Sequence, residues 1–116
     1  MSRMCGLVIV DDHDSFREWA SHVLGEEGFE VLGLAADGRS AVELVERLHP
    51  DVVLLDIQLP DVSGFDVAEL LAAHTLVVLT SSRSAADYGS RLEHSAAVGF
   101  VAKVDLTGET LQAVIG

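Results

Sequence analysis

Four unbroken apolar runs dominate the chain: Gly-Leu-Val-Ile-Val at 6–10, Val-Val-Leu-Leu at 52–55, Leu-Val-Val-Leu at 76–79 and Val-Gly-Phe-Val-Ala at 98–102, with a weaker one at 29–35. Each has the length of a strand, and none alternates with polar residues as a half-solvated strand does. A strand apolar at every position must be covered on both faces, which predicts a parallel sheet sandwiched between helices.

The intervening segments supply those helices. Phe16, Trp19, Ala20, Val23 and Leu24 fall at helical spacing after a cap at Asp14 or Ser15, and Gly28 ends the pattern. Trp19 continues the stripe and reads as core, and Glu26 and Glu27 as a solvated helix end. Asp37 caps a second helix whose stripe is Ala41, Leu44, Val45 and Leu48 and which Pro50 stops. A third runs over 64–73 with Phe65, Ala68, Leu71 and Ala72 inward. The stretch 84–95 is a poor helix, because Gly89 alone costs about 1 kcal/mol of propensity. The last helix covers 107–115.

At 116 residues and 49% hydrophobic composition, this is one domain, 1–116, able to fill its own core. Five βα units joined by right-handed crossovers make a doubly wound α/β sandwich with helices on both faces, whose site lies beyond the carboxyl ends of the strands. A net charge of -12 would repel a phosphate backbone or an anionic membrane, so neither nucleic acid nor membrane is expected as a direct partner. With one cysteine, Cys5, and an apolar run at 7–10 too short to span a bilayer, a reducing, cytoplasmic setting is expected.

The strand ends are where the polar residues gather: Asp11 and Asp12 after the first, Asp56 after the third, Thr80 at the fourth, and Lys103, the only lysine, at the fifth. Three carboxylates in one crevice would repel by about 3 kcal/mol per pair at an effective dielectric of 20, so a cation is required. An all-oxygen cluster suits Mg²⁺, which takes one or two carboxylates and keeps sites for water and phosphate oxygens. A carboxylate beside Mg²⁺, a lysine and a hydroxyl has what an aspartyl-phosphate nucleophile needs.

These residues, with the loop Leu-Pro-Asp-Val-Ser-Gly at 59–64, resemble the receiver domain of two-component response regulators over essentially the whole length. The resemblance implies a flavodoxin-like sheet of order 2-1-3-4-5. It also implies a signalling protein that catalyses only its own phosphorylation and dephosphorylation and is not a metabolic enzyme. By the same resemblance Asp56 is the phosphoacceptor, and Asp11, Asp12, Asp56 and the backbone carbonyl of Gln58 hold Mg²⁺. Lys103 and Thr80 contact the phosphoryl oxygens, and Thr80 and Phe100 form the switch. The donor would be a histidine kinase or histidine phosphotransfer protein, the target is unspecified, and a homodimer formed on phosphorylation is a further expectation.

The pattern is departed from after Lys103, where the family usually has a cis proline and this chain has Val104, which leaves open whether that peptide is cis or trans. Gln58 and Ser82 occupy positions that in the family tune loss of the phosphoryl group. Several blander readings stand beside these. Asp11 and Asp12 would also serve as helix caps, Thr80 as a β-branched strand residue and Phe100 as core. His13 reads as a solvent-facing first-turn histidine rather than a ligand. At the level of the whole chain, the alternative is a pseudo-receiver that signals through unmodified contacts. A haloacid-dehalogenase-like phosphatase would want an acid at Gln58, and a flavin binder a Ser/Thr/Gly loop where Asp11 to Asp14 stand.

Overall fold

The computed structural model describes residues 4–116. Strands β1 (Cys5–Val10), β2 (Phe29–Ala35), β3 (Val52–Asp56), β4 (Leu76–Ser81) and β5 (Gly99–Ala102) form one sheet of order β2-β1-β3-β4-β5, every pair parallel. Helices α1 (Asp14–Glu26), α2 (Gly38–Leu48), α3 (Gly64–Leu71) and α6 (Gly108–Ile115), with two short turns of helix, α4 (Ala85–Tyr88) and α5 (Ser90–Glu93), connect and cover it. The fold class expected from the apolar runs and from the resemblance is therefore the observed one.

Strand periodicity explains the two cores. Leu7, Ile9, Val52, Leu54 and Val78 point to one face and meet Ala20 and Leu24 of α1 and Leu111 of α6. Their neighbours Val8, Val10, Val53, Leu55, Val77 and Leu79 point to the other and meet Ala41 and Val45 of α2 and Val67, Ala68 and Leu71 of α3. Both faces are dry, which is why the runs show no polar alternation.

Several local expectations are corrected. The cap of α1 is His13, with neither Asp14 nor Ser15 in that role: the Asp11 side chain accepts the His13 N–H at 2.9 Å and turns the chain before the helix begins. Trp19 is 46% exposed, because the inward stripe is Phe16, Ala20 and Leu24, and it lies on the flank against Phe16 with ring centroids 5.9 Å apart. Helix α3 ends at Leu71, which leaves Ala72 exposed. Glu27 is more than a solvated end, since it accepts the N–H of Gly108 at 3.1 Å and ties the end of α1 to the start of α6. Asp37 does cap α2, accepting from Ser40 at 2.8 Å, and His49 in the left-handed region closes that helix before Pro50. The poor helix at 84–95 is broken at Gly89, whose φ of 57° and ψ of -133° suit only glycine.

Candidate functional site

Strand register assembles the site. Val10 pairs with Leu55 and Asp56 with Thr80, so Asp11, one residue past β1, sits beside Asp56, and both continue the parity of the α1-facing core. Lys103 follows β5 on the parity of Val101 and reaches back over the sheet end. Its Nζ lies 2.5 Å from Asp11 Oδ2 and 3.1 Å from Asp56 Oδ2. Asp11, Asp56 and Lys103 are thus brought together. Asp12 stands at the rim with its side chain 36% exposed.

The loop after β3 is shaped by Asp56 itself. Its Oδ1 accepts the Gln58 N–H at 2.9 Å, and Gly64 donates to the Ile57 carbonyl at 2.8 Å. A Cβ at Gly64 would stand 2.4 Å from the Asp56 carbonyl oxygen, so the close approach admits only glycine. Asp61 in the same loop accepts the N–H groups of Gly38 and Arg39, and that of Gly38 above all holds its carboxyl below the ordinary range.

Charge and burial work against each other here. Burial pushes the Asp56 carboxyl up to about 6, with Asp11 adding to the rise while the Gln58 N–H and Lys103 oppose it. In Asp11 burial also pushes upward, but Lys103, the His13 N–H and Asp56 outweigh it and leave the group below its usual value. Burial would lower Lys103, yet the two carboxylates hold it above the ordinary lysine value. With all three aspartates ionised, the lysine leaves a net charge of -2 at the crevice mouth.

The donor set fits a small hard cation. One ligand atom from each of Asp11, Asp12, Asp56 and His13 lies within 4.8 Å of the others. Asp11 Oδ2 is buried, and its contact with Lys103 is an ion pair without hydrogen-bond geometry. His13, read from the sequence as a bystander, places Nδ1 3.0 Å from Asp11 Oδ1 and 3.1 Å from Asp12 Oδ1. Its adjacency to Asp12 was the only signal that this histidine belongs to the cluster.

Thr80 is in register with Asp56, but its buried hydroxyl donates to the Val101 carbonyl at 2.6 Å. Phe100, one residue before Val101, lies half-buried on the opposite face of β5, its ring centroid 6.2 Å from that of Tyr88. Tyr88, which no sequence pattern singled out, contacts the Phe65 ring at 5.8 Å and shares a 2.6 Å hydrogen bond with the Ser81 hydroxyl. The peptide after Lys103 is trans, as no cis bond occurs among the described residues, and Val104 is 91% exposed.

A doubly wound parallel sheet places its site beyond the carboxyl ends of the strands, which is where the acid-lysine cluster stands. Residues 7–115 match the response regulator receiver domain, and the chain belongs to that family. It is 30% identical over 110 residues, 92% of its length, to the DNA-binding transcriptional activator EvgA of Escherichia coli, and covers 54% of that protein. To the transcriptional regulatory protein PdtaR of Mycobacterium tuberculosis it is 32% identical over 99 residues, 84% of this chain and 48% of the relative. The chain spans about half the length of these curated relatives. Among solved structures it resembles the signal receiver domain of NarL from Mycobacterium tuberculosis, with 31% identity, a TM-score of 0.83 and 99% of each chain covered. Chemotaxis response regulator CheY4 of Vibrio cholerae matches with 27% identity and a TM-score of 0.84 over 97% of this chain and 99% of that one. Among the described residues no helix is long and apolar enough to cross a membrane.

Proposed function

We propose that this receiver domain, taken as a single unit over 1–116, accepts a phosphoryl group on Asp56 from a phosphohistidine of a sensor kinase or phosphotransfer protein. The observation that carries the reading is the buried Asp56 at the end of β3 paired with the chain's only lysine at 3.1 Å. An Asp56 oxygen forms the new P–O bond as the donor P–N bond breaks, and the imidazole leaves with the electron pair and takes up a proton. Asp11, Asp12, Asp56 and the Gln58 carbonyl would hold Mg²⁺, with His13 beside them; the ion supplies charge neutralisation for the phosphoryl oxygens. Lys103, already poised between the two carboxylates, follows the negative charge onto the phosphoryl group.

The switch follows from Thr80. A phosphoryl oxygen competes with the Val101 carbonyl for its hydroxyl, and once the hydroxyl turns to Asp56 the β5 backbone beside Phe100 loses that tie. Phe100 then repacks against Tyr88, so the face carrying α4, β5 and α6 takes up the change. The chain's charge of -12 disfavours nucleic acid on that face, so its partner there is a protein target in the cytoplasm or, where contacts outweigh the like-charge repulsion, a second phosphorylated copy.

Incubation with Mg²⁺ and acetyl phosphate tests this by intact mass. One added phosphoryl group is expected in wild type and none in Asp56→Asn. Labelling that survives Asp56→Asn moves the acceptor elsewhere, and no labelling of folded wild type makes the domain an interaction module that works unmodified.

A further inference from the structure

We propose that Phe16 is a positioning residue for Lys103, its ring face holding the ammonium in line with Asp56; this rests on the phosphoacceptor reading of that aspartate. Lys103 Nζ lies 4.4 Å from the centre of the Phe16 ring while it pairs with Asp11 and Asp56. An ammonium over an aromatic face at that distance is attracted by the ring quadrupole, the more so where water is excluded, and the Lys103 side chain is only 16% exposed. The ammonium is therefore bounded on three sides, by two carboxylates and one π face.

The ring differs from the carboxylates in one respect that matters for chemistry. Asp56 changes charge when it becomes an acyl phosphate, whereas Phe16 offers the same face before and after. A lysine guided by carboxylates alone, on a stem of four flexible carbons, would be drawn along as the negative charge moves onto the phosphoryl oxygens, and the fixed ring limits how far it shifts. Nor does the following residue help, since Val104 points to solvent. Phe16 is itself fixed: Trp19 packs beside it, and Arg17, the next residue, donates to the Asp11 carbonyl at 2.6 Å, which ties the first turn of α1 to the site.

Because Lys103 is the only lysine, ¹³C-lysine labelling gives one set of side-chain signals. In wild type and Phe16→Tyr the protons on its ε carbon should be shifted upfield by the ring current. In Phe16→Leu, which keeps apolar bulk and removes the π face, they should return to the ordinary position. With acetyl phosphate the maximal phosphorylation rate of Phe16→Leu should fall about tenfold, equivalent to about 1.4 kcal/mol. Phe16→Tyr should restore it, and Mg²⁺ affinity by calorimetry should stay within about twofold of wild type in all three, on that same scale. A wild-type spectrum without the upfield shift overturns the proposal even if Phe16→Leu fails to fold. So does a Phe16→Leu rate equal to wild type, or a Phe16→Tyr rate as low as that of Phe16→Leu, which would make the contact one of shape alone. Absence of phosphorylation in wild type defeats the phosphoacceptor reading instead, and the lysine signals still report on the ring contact.

Discussion

Asp56 is the residue at which packing and function conflict most, and the conflict has a measurable sign. Its carboxyl is raised from 3.8 to about 6, so between those values the folded state binds a proton that the unfolded chain has already released. Stability from this group is present at low pH and is lost as pH climbs through about 6, by an upper bound of about 3 kcal/mol. Asp56→Asn removes the titration. In chelator, urea midpoints of the variant should therefore gain on wild type between about pH 4 and pH 7 and run parallel above that window. Midpoints that stay parallel throughout would show that Asp56 is not destabilised by its burial. The residues of this cluster were legible to different degrees, and the reason is physical. Asp56 and Lys103 end apolar strands, where a charged side chain stands out, while Asp11 also reads as a helix cap and does accept the His13 N–H. His13 and Phe16 sit on a helix start, where histidine and phenylalanine are ordinary, and only folding brings one against two carboxylates and the other under the ammonium.

At the scale of elements, the segment 82–95 is the weakest part of the cover on its face of the sheet. Neither α4 nor α5 contains a buried residue, and Gly89 separates two helices of four residues each. Tyr88 secures the segment through the Ser81 hydroxyl and the Phe65 and Phe100 rings, with Leu92 against the core and Arg91 over the Phe65 ring beside it. Segments with few buried contacts open at the smallest free energy, so amides of 82–95 should exchange faster than those of α2. Tyr88→Ala should speed them a further fivefold or so, equivalent to about 1 kcal/mol, while Tyr88→Phe, which keeps the rings, should do less. Beryllofluoride with Mg²⁺, a stand-in for the bound phosphoryl group, should slow them. Exchange in 82–95 as slow as in α2, or untouched by Tyr88→Ala, would place the flexible element elsewhere. Serines and a glycine made the weakness of this segment visible in the sequence. They did not show Tyr88 as its anchor, because Gly89 falls between Tyr88 and Leu92, its apolar partner at i+4, and breaks the helical stripe that would otherwise read through the pair.

The whole molecule carries its charge unevenly, and the site concentrates the cost. A chain at -12 repels itself everywhere, but Asp11, Asp12 and Asp56 crowd one crevice with a single lysine to offset them. Removing one charge without disturbing the buried pair should stabilise the metal-free protein. Asp12 is the position for it, since its side chain is partly exposed while those of Asp11 and Asp56 are buried. In chelator Asp12→Asn should melt higher than wild type by about 4 °C, for about 1 kcal/mol of relieved repulsion after solvent screening. Wild type should in turn gain about 1.4 kcal/mol with Mg²⁺ at ten times its dissociation constant, by mass action, and Asp12→Asn should gain far less. Plain screening also stabilises so acidic a chain, so monovalent salt at matched ionic strength is the comparison that isolates the ion. If Asp12→Asn melts below wild type in chelator, and Mg²⁺ does no more than the matched salt, the aspartates at the start of α1 only shape the turn into the helix. The carboxyl edge of the sheet would then not be a metal centre, whatever its geometry suggests.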